Sequence, residues 1–177
     1  MPAKTGSDKA AVIEVLNKAR ASELHAILQY MSQHYELADS DYGKLAANLK
    51  LIAIDEMRHA EMLAERILVL EGTPTTKPDR EVKKKQPVLE TMQFNEDLEE
   101  EAVRDYNQFH RLCREQSDNV SAKLFQVLIE EEQIHLEHFQ DVIGHIKELG
   151  NAYLATQAGG AAEAGAPAKG FVAAHGE

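Results

Sequence analysis

Glu56 and His59, in the stretch IDEMRHAEML, and Glu132 and His135, in EEEQIHLEH, have side chains suited to acid–base or metal chemistry at identical Glu-x-x-His spacing. Side chains three or four apart share one face of a helix. Glu56 and His59 therefore fall on the same stripe as Leu45, Leu49, Ile52, Leu63, Ile67 and Leu70, which is otherwise aliphatic. Glu132 and His135 share theirs with Phe125, Leu128, Phe139 and Val142. A third segment places Glu23 among Leu16, Ala19, Ile27, Tyr30 and His34. A fourth offers Glu101 from a stripe containing Phe94, Leu98 and Leu112.

A helix that aims carboxylates into an apolar interior needs something to neutralise them. Each unpaired buried ion costs several kcal/mol after relaxation, so four glutamates at one depth either protonate or hold cations. Depth follows from hairpin geometry, because residues equidistant from a turn lie level with one another. The midpoints of Glu23 with Glu56 (39.5) and with His59 (41) fall in ADSDYG, and those of Glu101 with Glu132 (116.5) and with His135 (118) fall in QSDN. All six side chains can converge at one height. Four glutamates and two neutral imidazoles balance two divalent cations, and an oxygen-rich set with one imidazole per ion suits iron or manganese, not a thiolate-rich structural zinc site.

The elements that must position these groups are helices. Apolar residues recur at helical spacing through four long segments, and none shows sustained period-two alternation. Helices are expected over about residues 8–37, 41–71, 89–116 and 119–149, with NAYLATQ forming a short fifth. Ser and Asp caps are expected at the two tight turns, and Gly72 and Gly150 are expected to close the second and fourth helices. Between them TPTTKPDREVKKKQP, with Pro74, Pro78 and Pro87, opposes helix. Its 16 residues from 72 to 87 reach at most roughly 53 Å, while a 31-residue second helix is roughly 46 Å long. The expected fold is all-α: two antiparallel hairpins joined by one long crossover. Residues 1–157 form this bundle domain, and 158–177, Ala/Gly-rich, are expected to be a flexible tail.

The 30 acidic against 19 basic residues, net −11, favour cationic partners over nucleic acid or anionic lipid. No run of 18 apolar residues suggests membrane insertion, and the first ten residues lack an apolar signal core. The single Cys113 is consistent with a reducing cytoplasm and has no partner cysteine for a disulfide or thiolate site. Lys83–Lys85 are expected to be a solvated charge run.

From ELHAILQY at Glu23, IDEMRHAE at Ile54, DLEEEAV around Glu101 and EEEQIHLEH around Glu132, residues 9–157 resemble a bacterioferritin, of the ferritin-like diiron family. The resemblance implies a ferroxidase that oxidises Fe(II) with O2 or H2O2 at two irons per subunit and stores ferric mineral in a hollow 24-mer built from twofold dimers. By position it pairs Glu23 with His59 on one iron and Glu101 with His135 on the other, with Glu56 and Glu132 bridging and Tyr30 beside them. Met57, about 100° around the helix from Glu56, faces a flank. The resemblance makes it an axial ligand to a haem-type iron porphyrin shared by two subunits, serving iron release with a small electron-donor protein. Where some relatives carry a His for an inner-surface iron, this chain has Leu51, while the companion Asp55 is present. Rival readings are a rubrerythrin-like peroxidase, which the lone cysteine disfavours, a Dps-like DNA protector, and a non-catalytic haem-binding bundle.

Overall fold

The computed structural model describes residues 8–160 and 170–175. Four long helices, α1 (Lys9–Asp39), α2 (Gly43–Val69), α3 (Val88–Glu115) and α4 (Asn119–Leu149), are followed by α5 (Asn151–Gln157) and α6 (Phe171–His175). Short turns fold α1 onto α2 and α3 onto α4, and there is no strand among the described residues. This is the expected all-α bundle of two hairpins.

Local chemistry sets the ends. Asp8 and Asp118 cap α1 and α4, their carboxylates accepting from the amides of Ala11 and Ser121, whereas α2 starts after Tyr42 with no side-chain cap, contrary to the Ser or Asp cap expected at that turn. The end of α2 differs from expectation, because Glu71, not Gly72, adopts the left-handed conformation (φ 61°), while the Gly72 amide returns to the Ile67 carbonyl. Asp41 and Ser117 end α1 and α3 in the same way, with φ of 63° and 61°. Non-glycine residues suffice because two returning amides satisfy the last carbonyls at each end. Gly150 (φ 53°, ψ −131°) ends α4 in a conformation that requires glycine and starts α5.

The crossover follows α1 along most of its length. Asn17 donates to the Thr73 carbonyl and accepts from the Thr75 amide, and the Asp79 amide donates to the Ala21 carbonyl. Gln29 forms a two-way pair with the Lys83 backbone, and the Lys85 amide reaches Glu36. The loop thus carries the chain back beside α1 so that α3 starts level with the end of that helix. Lys83–Lys85 are exposed, with the Lys83 ammonium 4.2 Å from the centre of the Phe94 ring.

Two apolar clusters fill the bundle. One gathers Tyr30, Leu45, Leu49, Ile52, Phe139 and Val142, and the other Val12, Leu16, Leu63, Ile67, Phe125 and Leu128. Between them, at the level predicted from turn arithmetic, lie the acidic residues. Within the segment expected to be a flexible tail, residues 161–169, 176 and 177 lie outside the described residues, but Phe171 is buried against the first cluster. Composition averaged over an Ala/Gly-rich segment conceals this, since one aromatic side chain with an apolar seat is enough to dock a short helix.

Candidate metal centre

Each long helix delivers a carboxylate to mid-bundle. Glu23 on α1, Glu56 on α2, Glu99 on α3 and Glu132 on α4 are all buried, together with His59 and His135. They form two overlapping groups: Glu23, Glu56, His59 and Glu132, and Glu56, Glu99, Glu132 and His135. In each, one ligand atom per residue lies within 4.8 Å of all the others. Glu56 and Glu132 belong to both groups.

The contacts repeat across the pair. His59 Nδ1 lies 2.9 Å from Glu56 Oε2 and 3.0 Å from Glu132 Oε1, and His135 Nδ1 lies 3.1 Å from Glu132 Oε2 and 3.3 Å from Glu56 Oε1. Both imidazoles thus turn the same nitrogen toward the shared carboxylates. The other two glutamates are held by phenols: the Tyr106 hydroxyl donates to Glu23 Oε1 and the Tyr30 hydroxyl to Glu99 Oε1, each at 2.5 Å. These are short hydrogen bonds between buried groups, and they fix the carboxyl groups in place.

Glu99 corrects the sequence expectation on α3. Glu101 stands on the surface, where both its oxygens accept from the Arg80 guanidinium at 2.9 and 3.2 Å. The buried face of α3 is Thr91, Met92, Asn95, Glu99, Tyr106 and Cys113, whereas Phe94 turns toward Lys83 of the crossover. An apolar-stripe argument fails here because the inward face of α3 is itself largely polar.

Sequence reasoning also missed the groups behind the histidines. Glu131 Oε2 lies 2.9 Å from His59 Nε2, and Asp55 Oδ2 lies 3.4 Å from His135 Nε2. The acid immediately before each Glu-x-x-His therefore braces the histidine of the opposite hairpin. That adjacency, Asp-Glu-x-x-His and Glu-Glu-x-x-His, is the signal that was available in the sequence. Such partners fix the ring orientation and raise ligand basicity.

Electrostatics reflect crowding of like charge. Burial, then the charges of Glu132 and Glu56, holds Glu23 well above the usual carboxylate range; burial, then Glu56 and Glu132, does the same to Glu99. Burial opposes protonation of His59 and His135, yet the surrounding carboxylates, led by Glu132 and Glu56 respectively, push both well above the ordinary imidazole value. Glu132 goes the other way: burial raises it, but the charge of His59 and hydrogen bonds from both imidazoles hold it low. The crowding thus favours protons on Glu23, Glu99 and the two imidazoles. Glu56 Oε1 and Glu132 Oε1 are buried and make no well-aligned hydrogen bond, each meeting only one imidazole nitrogen, at 3.3 and 3.0 Å. Buried acceptors are ordinarily satisfied, and both of these oxygens belong to the two carboxylates common to the groups. Hard oxygen donors with one imidazole per group fit a pair of iron ions.

Met57 projects from the flank of α2, 49% exposed, into an open groove of about 390 Å³ with Arg20, Leu24, Ile27, Ala60, Glu61 and Ala64. Cys113 is buried, and burial first, then the charge of Asp118, pushes its thiol up to about 12, so it is no nucleophile.

Comparison with known proteins agrees with this geometry. Residues 13–149 match the Ferritin-like domain family. The chain is 55% identical to the bacterioferritin of Desulfovibrio desulfuricans over 166 residues, covering 94% of this chain and 93% of that protein. It is 35% identical to the bacterioferritin of Streptomyces coelicolor, over 82% and 87% of the two chains. Among solved structures, it superposes on an X-ray structure of the D. desulfuricans protein, described with its diiron site in different catalytic states, with a TM-score of 0.88, covering 93% and 96%. Bacterioferritin BfrA of Mycobacterium tuberculosis gives 0.80 at 28% identity, over 84% and 94%. With four inward glutamates and two inward histidines built as one bundle requires, the chain belongs to the bacterioferritin family.

Proposed function

We propose that this chain is a ferroxidase and iron-storage subunit, with Fe(II) as its substrate. The observation that carries this reading is the pair of four-residue groups sharing Glu56 and Glu132. Glu23 and His59 would hold one ferrous ion, Glu99 and His135 the other, and Glu56 and Glu132 both. The two ions supply the two electrons that reduce one O2 to H2O2 or one H2O2 to water. Around them, Tyr106 and Tyr30 hold the terminal carboxylates, Glu131 and Asp55 hold the imidazoles, and the two apolar clusters exclude bulk water.

Storage requires a cavity larger than one bundle, and a 24-mer of twofold dimers supplies it. Leu28, Tyr35, Met57, Leu68 and Val69 are large apolar side chains exposed on α1 and α2, surface that neighbouring copies would cover. Met57 in its groove would supply one half of a porphyrin site shared across a dyad, its thioether offering a soft ligand for the iron. A haem bound there would carry electrons inward from a small donor protein for iron release.

Anaerobic titration with Fe(II), followed by O2 or H2O2 in a stopped-flow instrument, tests the reading. Two irons bound per subunit and oxidised together are expected. Failure to bind a pair, or an unchanged oxidation rate in Glu56→Ala, would overturn it. Size-exclusion chromatography near dimer mass under all conditions would remove the shell.

A further inference from the structure

The two halves of the centre are alike except behind the histidines. Glu131, behind His59, keeps 19% of its side chain exposed. Asp55, behind His135, has no exposed surface and is gripped from three sides. Its Oδ1 accepts from Arg58 at 2.9 Å, and its Oδ2 accepts from the Val172 amide at 2.9 Å while lying 3.4 Å from His135 Nε2. The Val172 amide comes from α6, 117 residues further along the chain.

Three observations show that α6 is fitted to this place. Phe171 is 4% exposed, its ring centre 6.1 Å from that of His135 in an edge arrangement and 4.7 Å from that of His138. Gly170 passes so close to Asp55 that a Cβ on it would overlap the carboxylate, so a residue without a side chain is required. Leu51, on α2 one turn before Asp55, packs against the cluster that receives Phe171.

We propose that the Gly170–Val172 segment is a resident occupant of the face of α2 and α4 where Asp55 meets His135. It holds Asp55 as a positioning residue for His135 and closes that face of the centre to a further cation. The bracing clause rests on the metal-centre reading above; the docking does not. A carboxylate whose two oxygens are committed to Arg58, Val172 and His135 has little capacity left for an additional ion. Among the described residues the Glu131 side, with 19% of that side chain exposed, is the more open one.

Two measurements on the full-length, metal-free assembly test this. Amide hydrogen exchange reads the Val172 N–H directly. In addition, the chain contains no tryptophan, so Phe171→Trp supplies a sole indole whose emission and quenching by acrylamide report burial. Protection of Val172 and a shielded indole are expected, with protection lost in Gly170→Ala and Phe171→Ser. Calorimetric titration with Zn(II), which cannot be oxidised, should then show one of the two cations weakened about 10-fold in both variants, as is typical when a group bracing a ligand is lost. An unprotected Val172 amide in the parent protein overturns the docking. Protection with both cations unchanged in the variants overturns the bracing. A parent protein that binds no cation pair removes the bracing together with the metal-centre reading, while the docking still stands or falls on Val172 exchange.

Discussion

Glu99 and Glu101 sit two residues apart on α3, roughly 160° apart around its axis, and have opposite fates. Glu99 enters the bundle to meet Tyr30, and Glu101 meets Arg80 on the surface. Replacing each by Ala separates the two roles. Glu99→Ala is expected to weaken one of the two cations by more than about 100-fold, beyond the effect of losing a bracing group, and to slow Fe(II) oxidation accordingly. Glu101→Ala is expected to leave cation binding unchanged and to lower stability by no more than a few tenths of a kcal/mol, as for exposed ion pairs. Zn(II) calorimetry and thermal melts read both, and equal effects on binding would refute the assignment.

How this choice escaped the sequence is instructive. Turn arithmetic fixes depth but not face: the midpoint of Glu99 with Glu132 is 115.5 and with His135 is 117, as close to the α3–α4 turn as the values for Glu101. Face had to come from the hydrophobic stripe. On α2 and α4 the stripe is apolar above and below the acid, and on α1 Val12, Leu16 and Ala19 lead up to it although Gln29, Gln33 and His34 are buried beyond it, so Glu23, Glu56 and Glu132 are legible together with the histidines of α2 and α4. On α3 the inward residues include Asn95 and Thr91, while Phe94 faces the crossover, so the stripe pointed the wrong way. The docking of Phe171 was illegible for a different reason, since no local period announces a single aromatic anchor in an Ala/Gly-rich segment.

The phenol bonds give a second prediction. Tyr30→Phe removes the donor to Glu99, and Tyr106→Phe removes the donor to Glu23, with no change in ring volume. Each is expected to weaken the cation on its own side by about 10–100-fold and spare the other. The two acceptors lie in different halves of the centre, so the double variant should show both losses close to additively. A single loss common to both variants would show that the halves are not independent.

Protonation gives the third. Glu23, Glu99, His59 and His135 all have protonation equilibria shifted upward in the metal-free protein, so they retain protons that their unfolded counterparts would release. For each of these groups, folding is favoured by the bound proton. Their joint contribution to stability is therefore present at low pH and declines as pH rises from the unfolded values through the folded ones. Glu132, held low, contributes in the opposite sense, losing stability as pH falls through its folded value. Cations must displace the retained protons, so Zn(II) uptake should release protons and tighten as pH rises. Calorimetry in two buffers of different ionisation enthalpy measures the release directly. Uptake without proton release would mean the acids are already ionised.

Met57 supplies the last test, and its logic depends on position. It occupies the same helical turn as Glu56 and His59, yet its side chain lies on the exposed flank among Arg20, Leu24 and Ile27, away from the acids. Nothing in the packing of one subunit needs a thioether there, because a half-exposed Met contributes little that Leu would not. Met57→Leu is therefore expected to change thermal stability of the haem-free protein by less than about 0.5 kcal/mol and to leave Fe(II) oxidation intact. A soft sulfur matters only if a second copy brings its own Met57 to the opposite side of a porphyrin iron, so the same substitution should abolish the bis-thioether absorption spectrum of protein reconstituted with haem. Introducing Met57→His should instead convert that spectrum to one of nitrogen ligation. A spectrum indifferent to both changes would remove Met57 from the porphyrin site and leave the diiron assignment untouched, since the two faces of α2 share no ligand.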